Sequence, residues 1–410
     1  MGKRTLAVHI DNLKQVYFPG DQVSGRVVLE ISEELKVRKI ELLFHGFADV
    51  HWTERRQTKN GSHTVHYRNH EDYFVQHFPL FGKDQTGEDK TVMAPNVYTF
   101  PFTAVIPYNI PSSYEAHIGQ VRYMFKANVD RPWAFDMHAK HMITVMDALD
   151  LNTIPNLESR AEKTDQKVLC CLCCASDPIS AHVRVERQGY VAGEEVQFWA
   201  EINNQSNRTM TCSKGSLLMS VSYHARSKTR TVGNVLGELR HGAIEGGGTD
   251  AFVGERLHIP AVPPSFLRGC RIIDIRYFVN VTVDPSGLGF DLHVPVEIVI
   301  GSIPLRNIAQ QHGFALPPAQ QPIQDLQPRP EMPPPYVGAP KGLYSDTVMP
   351  SAVPNTVFTQ SALGAVSTAE EGDNEHTYGN TNYAPVYTYY NWSTHDTNRQ
   401  GQLQIEGQHL

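Results

Sequence analysis

The stretch that decides the fold is residues 16–31, VYFPGDQVSGRVVLEI. Pro19 presets its own φ and Gly20 accepts a positive φ without a steric cost, so the pair predicts a tight turn. The residues that follow alternate with a period of two, which is typical of a β-strand with one buried face. The predicted buried face consists of Val23, Gly25, Val27, Leu29 and Ile31.

The same pattern recurs at residues 189–202, GYVAGEEVQFWAEI. Gly193 takes the turn position of Gly20, and the residues after it alternate again. The predicted buried face of this second strand consists of Val196, Phe198, Ala200 and Ile202. A chain that repeats one turn-and-strand unit at a long interval is expected to build one domain twice.

Length, charge and composition restrict the class of protein. A chain of 410 residues suits two or three domains. The net charge is −7 and no basic block is present, which argues against nucleic acid as a partner. No apolar run is long enough to span a bilayer, and the first residues lack the apolar segment of a signal peptide. We therefore expect an intracellular protein whose six cysteines do not form a disulfide framework.

Short strands separated by turn residues predict an all-β protein. The strand pattern of residues 119–129 returns at residues 272–283, which supports a duplicated domain. We predict a first β-sandwich over residues 1–150, a connector over 151–177 and a second β-sandwich over 178–305.

The polar stretch 53–72 contains an Asn-Gly pair, which is a strong signal for a tight hairpin turn. We interpret the residues around that turn as an exposed loop. His63, His66 and His70 share this loop, and we assign them no site because histidines in such loops are often merely solvated. No catalytic arrangement can be placed from the other histidines and carboxylates, so we predict a protein that is not an enzyme and has no cofactor.

Several segments together resemble the α-arrestin (arrestin domain-containing) family. They are VYFPGDQVSGRVVLEI at 16–31, IELLFHGFADVHW at 40–52, CCLCCASDPIS at 170–180, GYVAGEEV at 189–196 and VIGSIPL at 299–305. The resemblance implies two arrestin-like, immunoglobulin-like β-sandwich domains in tandem. It also implies an adaptor that links membrane receptors or transporters, its cargo, to ubiquitin ligases and the endocytic machinery. We expect such a protein to be cytoplasmic and peripheral at the plasma membrane and endosomes.

The composition shifts after the second predicted sandwich, where prolines and polar residues replace the apolar pattern. A segment of this kind cannot bury a core, so we predict a disordered Pro-rich tail over 306–410. The tail contains a PPxY motif, the ligand of WW domains, formed by Pro333, Pro334, Pro335 and Tyr336. Its prolines favour the polyproline II conformation that WW grooves accept. The motif predicts WW-domain HECT-type ubiquitin ligases as partners.

A second string in the tail, residues 384–387, lacks the first proline of the motif. Its Pro385 and Tyr387 are either a weak second WW site or part of a spacer.

Clustered cysteines mark the predicted connector. They are Cys170, Cys171, Cys173 and Cys174. Zinc is one interpretation, but no second ligand pair lies at a fitting spacing. S-acylation is another, which would attach the protein to a membrane. The third is a buried apolar connector, since free cysteine behaves as a small hydrophobe.

A hypothesis of a different class is a retromer-type structural sorting scaffold, which has a similar fold and acts without a ubiquitin ligase. The PPxY motif at 333–336 discriminates between the two hypotheses and favours the adaptor.

Overall fold

We describe the protein from a computed structural model. The described residues are 3–58, 61–82, 91–168, 170–171, 174–175, 177–226, 228–286, 291–314, 316, 349–350, 353–369, 373, 376–379 and 382–392, with the backbone alone for 170–171 and 174–175.

Strands account for most of the described chain. The first half contains β1 (Arg4–Ile10), β2 (Gln22–Ile31), β3 (Leu35–Val37), β4 (Lys39–Thr58), β5 (Gly61–Phe81), β6 (Thr91–Met93), β7 (Asn96–Val105), β8 (Tyr114–Glu115), β9 (Gly119–Asp130) and β10 (Met137–Ile143). The second half contains β11 (Ala161–Lys167), β12 (Cys170–Cys171), β13 (Cys174–Ala175), β14 (Ile179–Val185), β15 (Gly189–Val191), β16 (Glu195–Asn204), β17 (Met210–Ala225), β18 (Lys228–Arg240), β19 (Thr249–His258), β20 (Ile273–Pro285) and β21 (Leu292–Gly301). After these come the helix α1 (Arg306–Gln311) and the strands β22 (Thr356–Gln360), β23 (Val366–Ser367), β24 (Thr377–Gly379), β25 (Asn382–Tyr383) and β26 (Val386–Tyr390).

The first sandwich is organised around β2, which lies between β1 and β7 in an antiparallel sheet. The facing sheet has the order β10–β9–β4–β5, with β8 beside β9. The predicted inner face of β2 is confirmed, because Val23, Val27 and Leu29 are fully buried. The turn before it has Gly20 at φ +90°, a conformation that favours glycine.

The second sandwich repeats this arrangement. Strand β16 lies between β14 and β19, and the facing sheet contains β21, β20, β17 and β18. The predicted face of β16 is also confirmed, since Val196, Phe198 and Ala200 are fully buried. Gly193 has φ +95° in the matching turn. The all-β class and the two tandem sandwiches predicted from the sequence are therefore correct.

Part of the predicted connector belongs to the second sandwich. Strand β11 pairs antiparallel with β14 along its whole length, from Ala161 opposite Val185 to Lys167 opposite Ile179. Its residues are mostly exposed, because β11 is an edge strand of the sheet. An edge strand with this exposure carries no apolar alternation. The sequence therefore predicts the start of the sandwich at residue 178, whereas in the structure it starts at Ala161.

The polar stretch 53–72 is not a loop. Strands β4 and β5 continue through it as an antiparallel hairpin, and Thr58 pairs with Gly61 at the closed end. Asn60 of the predicted turn lies outside the described residues, and the residues on either side of it are extended strands. Both faces of this part of the hairpin are largely exposed, which explains its polar composition.

The prediction of a disordered tail over 306–410 is wrong for the described part of that segment. Helix α1 follows directly after the second sandwich, and β22–β26 and β23–β25 form two-stranded antiparallel pairs. Strand β24 adds to the first sandwich by pairing in parallel with β10. Among the described tail residues, Tyr383, Tyr387 and Tyr390 are buried and supply apolar surface for docking.

Polar contacts join the two sandwiches. The hydroxyls of Tyr114 and Tyr223 lie 2.7 Å apart in a buried position. The Arg271 guanidinium lies 2.5 Å from the Glu71 carboxylate, which is almost fully buried. These contacts hold residues of the two sandwiches against each other. Within the described residues, no helix has the length and apolar character needed to span a membrane.

Candidate functional site

The described residues between 353 and 392 run back over the two sandwiches, and we call them the strap. Strand β24 pairs with β10, so that Lys140 lies opposite Gly379. The Lys140 ammonium lies 2.8 Å from the Asp373 carboxylate, and only 2% of its side chain is exposed. A buried cation of this kind needs a partner, and the strap supplies one.

Beneath the strap lies a buried ion pair within the first sandwich. Arg122 Nε and Nη2 donate to the two Glu115 carboxylate oxygens at 2.7 and 2.9 Å. The exposed fractions of the two side chains are 2% and 0%. Arg122 Nη2 also donates to the carbonyl of Ser367 in the strap at 3.0 Å. A bidentate pair is the geometry that best offsets the cost of burying two charges.

Tyrosines anchor the strap along its length. Tyr387 is 1% exposed, and its hydroxyl donates to the Ser113 carbonyl at 3.0 Å. The Tyr390 hydroxyl donates to the Ser302 carbonyl at 2.6 Å in the second sandwich. Burial raises the pKa of Tyr387 well above its usual value, so the hydroxyl remains a donor. The strap therefore attaches to both sandwiches.

Apolar contacts accompany these hydrogen bonds. Tyr383 packs with Phe47, Met124 and Met142 on the outer face of the sheet that contains β4, β9 and β10. At the other end, Tyr390 joins a cluster of residues from both sides of the junction between the sandwiches. Gly193 lies so close to the Tyr390 backbone that a Cβ there would be 2.1 Å from its carbonyl oxygen. The turn before β16 therefore contacts the strap directly.

One group of described side chains has the composition and spacing of a metal site. It consists of His45 on β4 with His70 and Asp72 on β5, whose ligand atoms all lie within 4.8 Å of one another. Asp72 Oδ1 lies 2.6 Å from His45 Nε2 and 2.9 Å from His70 Nε2. Although desolvation by burial opposes the change, hydrogen bonds with Asp49 and Asp72 raise the pKa of His70.

The sequence of this chain is similar to those of known proteins over both sandwiches. The profile of the arrestin (or S-antigen) N-terminal domain matches residues 6–152, and that of the C-terminal domain matches residues 175–305. The chain is 30% identical over 306 residues to arrestin domain-containing protein 17 of Caenorhabditis elegans, covering 72% of this chain and 69% of that protein. It is also 30% identical over 306 residues to arrestin domain-containing protein 4 of Mus musculus, covering 74% and 72%. This chain belongs to the α-arrestin family.

A further relative of this α-arrestin is thioredoxin-interacting protein of Sus scrofa. The two are 28% identical over 302 residues, which cover 73% of this chain and 74% of the relative. Proteins of the arrestin family are non-catalytic adaptors. At the level of the family, protein partners are therefore expected.

The PPxY motif of this α-arrestin, from Pro333 to Tyr336, lies outside the described residues. The structure therefore leaves it as a prediction. The motif falls in the chain between the described residue Leu316 and the strap.

The cysteine cluster is described in part. The backbones of 170–171 and 174–175 pair with each other as the short hairpin β12–β13, while Cys173 lies outside the described residues. The S-acylation and buried-connector interpretations both remain predictions. Of the other cysteines, Cys212 is buried and Cys270 is partly buried, and both are free thiols.

The second tail string is part of the strap of this α-arrestin. Pro385 is buried and Tyr387 is almost completely so. In the docked strap, the Tyr387 ring is therefore enclosed by protein and is not presented to a WW groove.

The strap and the ion pair beneath it are not predicted by the sequence patterns described above. A signal was present in residues 382–390, NYAPVYTYY, which is much richer in tyrosine than the rest of the tail. Such aromatic enrichment indicates a segment that docks. Glu115 and Arg122 carried no comparable signal, because no spacing rule joins charges on two paired strands of unknown register.

Proposed function

We propose that this α-arrestin is a trafficking adaptor that links membrane receptors or transporters to WW-domain HECT-type ubiquitin ligases. The linkage leads to ubiquitination, endocytosis and degradation of the cargo. The observation that carries the proposal is a PPxY motif, Pro333 to Tyr336, in the same chain as an arrestin-fold body. In this proposal the arrestin-fold body binds the cargo and the motif binds the ligase.

The chemistry of the motif supports its binding to a WW domain of the ligase. Consecutive prolines restrict φ to values near those of polyproline II, so part of the ordering cost of binding is already met. Aromatic grooves of WW domains accept the proline rings, and a separate pocket accepts the tyrosine ring. Few side chains are buried in such a contact, so we expect modest affinity for one motif and one domain.

The strap refines this proposal. Because Pro385 and Tyr387 are buried in the strap, residues 384–387 engage a second WW domain only after the strap is released. The motif at 333–336 is therefore the first contact. A ligase with several WW domains would gain avidity from the second string in the released state alone.

A peptide titration tests the ligase contact. A peptide of residues 325–345 is titrated into isolated WW domains of HECT-type ligases by calorimetry. Tyr336→Ala should weaken binding about ten-fold or more, because it removes the ring that fills the tyrosine pocket. Phosphorylation of Tyr336 should also weaken binding, because it places negative charge in an aromatic pocket. Tyr344→Ala is the matched control, since it removes a tyrosine of the same peptide outside the motif.

Equal binding by the wild-type and Tyr336→Ala peptides would contradict the adaptor proposal. The retromer-type scaffold, which needs no ligase, would then be the better hypothesis.

We also propose that the cysteine cluster holds the adaptor at the plasma membrane and endosomes by S-acylation of Cys170, Cys171, Cys173 and Cys174. One acyl chain gives only marginal membrane attachment, so firm binding requires two or more. Cells fed a lipid analogue should label the protein in a hydroxylamine-sensitive manner, and replacement of all four cysteines by serine should remove the label. Absence of label on the wild-type protein would favour the buried connector.

A further inference from the structure

We propose that His45, His70 and Asp72 form a binding site for a divalent transition-metal ion of the zinc class. Two imidazole nitrogens and one carboxylate oxygen are a ligand set that such ions prefer. The hard cations Ca²⁺ and Mg²⁺ prefer all-oxygen surroundings, and this group offers too few oxygens for them.

The distances fit this assignment. The three ligand atoms lie within 4.8 Å of one another. In a tetrahedral site with metal–ligand bonds near 2.0–2.2 Å, two ligand atoms are separated by roughly 3.3 Å. Asp72 Oδ1 now lies 2.6 and 2.9 Å from the two histidine nitrogens, in hydrogen bonds that a metal ion would replace. To reach that separation, the two Asp72 contacts would have to lengthen by roughly 0.4–0.7 Å, which small rotations of the side chains allow.

A neighbouring carboxylate already orients one of the ligands. His70 Nδ1 lies 2.7 Å from Asp49 Oδ1, while His70 Nε2 faces Asp72. In protein metal sites, the ring nitrogen that does not bind the metal usually donates to a carboxylate or a carbonyl, which fixes the tautomer. Asp49 is therefore a positioning residue for the site and not a ligand.

The surroundings of the site are fixed by the sheet and by an aromatic ring. The Phe47 ring centroid lies 4.6 Å from that of His45 and 5.7 Å from that of His70. The register of β4 and β5 pairs Asp49 with His70 and Phe47 with Asp72. Ligands on paired strands are held more precisely than ligands on loops.

The site is open on one side. About half of the Asp72 and His70 side chains is exposed, at 53% and 46%, whereas His45 is only 18% exposed. A metal ion held by three protein ligands would keep its remaining position toward solvent. That position would take water or a side chain of a partner protein.

Cobalt(II) binding tests the proposal. The untagged full-length chain, freed of metal, is titrated with Co²⁺ in the wild type and in a variant with serine at Cys170, Cys171, Cys173 and Cys174. We expect visible d–d bands of tetrahedral or five-coordinate cobalt with N and O ligands, and the same bands in the serine variant. Zn²⁺ should displace the cobalt, because it binds N/O sites more tightly.

Single substitutions locate the ion. His70→Gln and His45→Gln should each abolish the bands at the Co²⁺ concentration that saturates the wild type. Asp49→Asn should weaken binding about 10–100-fold without abolishing it, as expected for a positioning residue. The matched control is His66→Gln, on the same strand as His70, because His66 Nδ1 lies 3.3 Å from His51 Nε2 and not at the site. It removes one histidine of the hairpin and should bind Co²⁺ as the wild type does.

Two results would overturn the proposal. One is the absence of any cobalt spectrum in both the wild type and the serine variant. The other is retention of the wild-type spectrum in folded His70→Gln and His45→Gln variants, with the fold checked by circular dichroism. Loss of the spectrum in His66→Gln alone would assign the ion to the His51–His66 pair and would also contradict the site proposed.

Discussion

Glu115→Ala should lower the free energy of unfolding of the first sandwich by about 3–5 kcal/mol, because it leaves a buried charge without a partner. Glu115 is completely buried and Arg122 is 2% exposed, so bulk water solvates neither charge in the folded protein. Two hydrogen bonds to the guanidinium, at 2.7 and 2.9 Å, are lost together. The bond from Arg122 to the Ser367 carbonyl remains, but a single neutral acceptor does not offset a full charge.

The measurement is urea denaturation followed by a probe in the first sandwich. Glu30→Ala is the matched control in the same sandwich, since its partner Lys3 lies 3.7 Å away and the two side chains are 44% and 71% exposed. That exposed pair should contribute about 0–1 kcal/mol. The double variant Glu115→Leu with Arg122→Met should recover most of the lost stability, because it removes both charges and keeps the volume. An unchanged midpoint and slope for Glu115→Ala would contradict the buried pair.

Tyr387→Ala should release the strap from the body. The substitution removes a fully buried ring and its hydrogen bond to the Ser113 carbonyl. Removal of a buried aromatic ring costs about 3–5 kcal/mol, which is large for the docking of one short segment. Release would uncover the apolar side chains of Phe47, Met124 and Met142, and would present Pro385 to solvent.

Limited proteolysis with mass spectrometry measures this release through the rate of cleavage within residues 353–392. The rate should rise strongly in Tyr387→Ala. It should rise only slightly in Tyr387→Phe, which keeps the ring and loses one hydrogen bond of about 1 kcal/mol. Tyr389→Ala is a second control, since Tyr389 is only partly buried and its hydroxyl meets His258 at an exposed position. Identical cleavage rates in Tyr387→Ala and the wild type would show that this ring does not hold the strap.

The sequence could predict those parts of the fold that one buried face controls. Strands β2 and β16 alternate because their inner residues, such as Val27 and Phe198, are fully enclosed while the outer residues meet solvent. The turns before them could be predicted because Gly20 and Gly193 have a positive φ that glycine adopts easily.

The parts that the sequence could not predict depend on pairing with distant residues. Strand β11 has little apolar alternation because it is an exposed edge, and only its register with β14 reveals it. His45 and His70 meet because β4 and β5 continue as a hairpin with an irregular register between Gly46 and Phe47. Chain spacing carries no information about such a register. Because both faces of the distal hairpin are polar and exposed, the sequence predicts a loop for His63, His66 and His70.

Co-purification of a HECT-type ligase with the full-length chain tests the central claim most directly. Wild type, Tyr336→Ala and Tyr344→Ala are expressed at equal levels in cells, and the ligase bound per chain is measured. The adaptor account predicts that Tyr336→Ala loses about nine-tenths of the bound ligase or more, because the Tyr336 ring is expected to supply a large share of the binding free energy. It also predicts that Tyr344→Ala keeps the ligase and that both variants have a folded body. Wild-type levels of ligase on Tyr336→Ala would contradict the account.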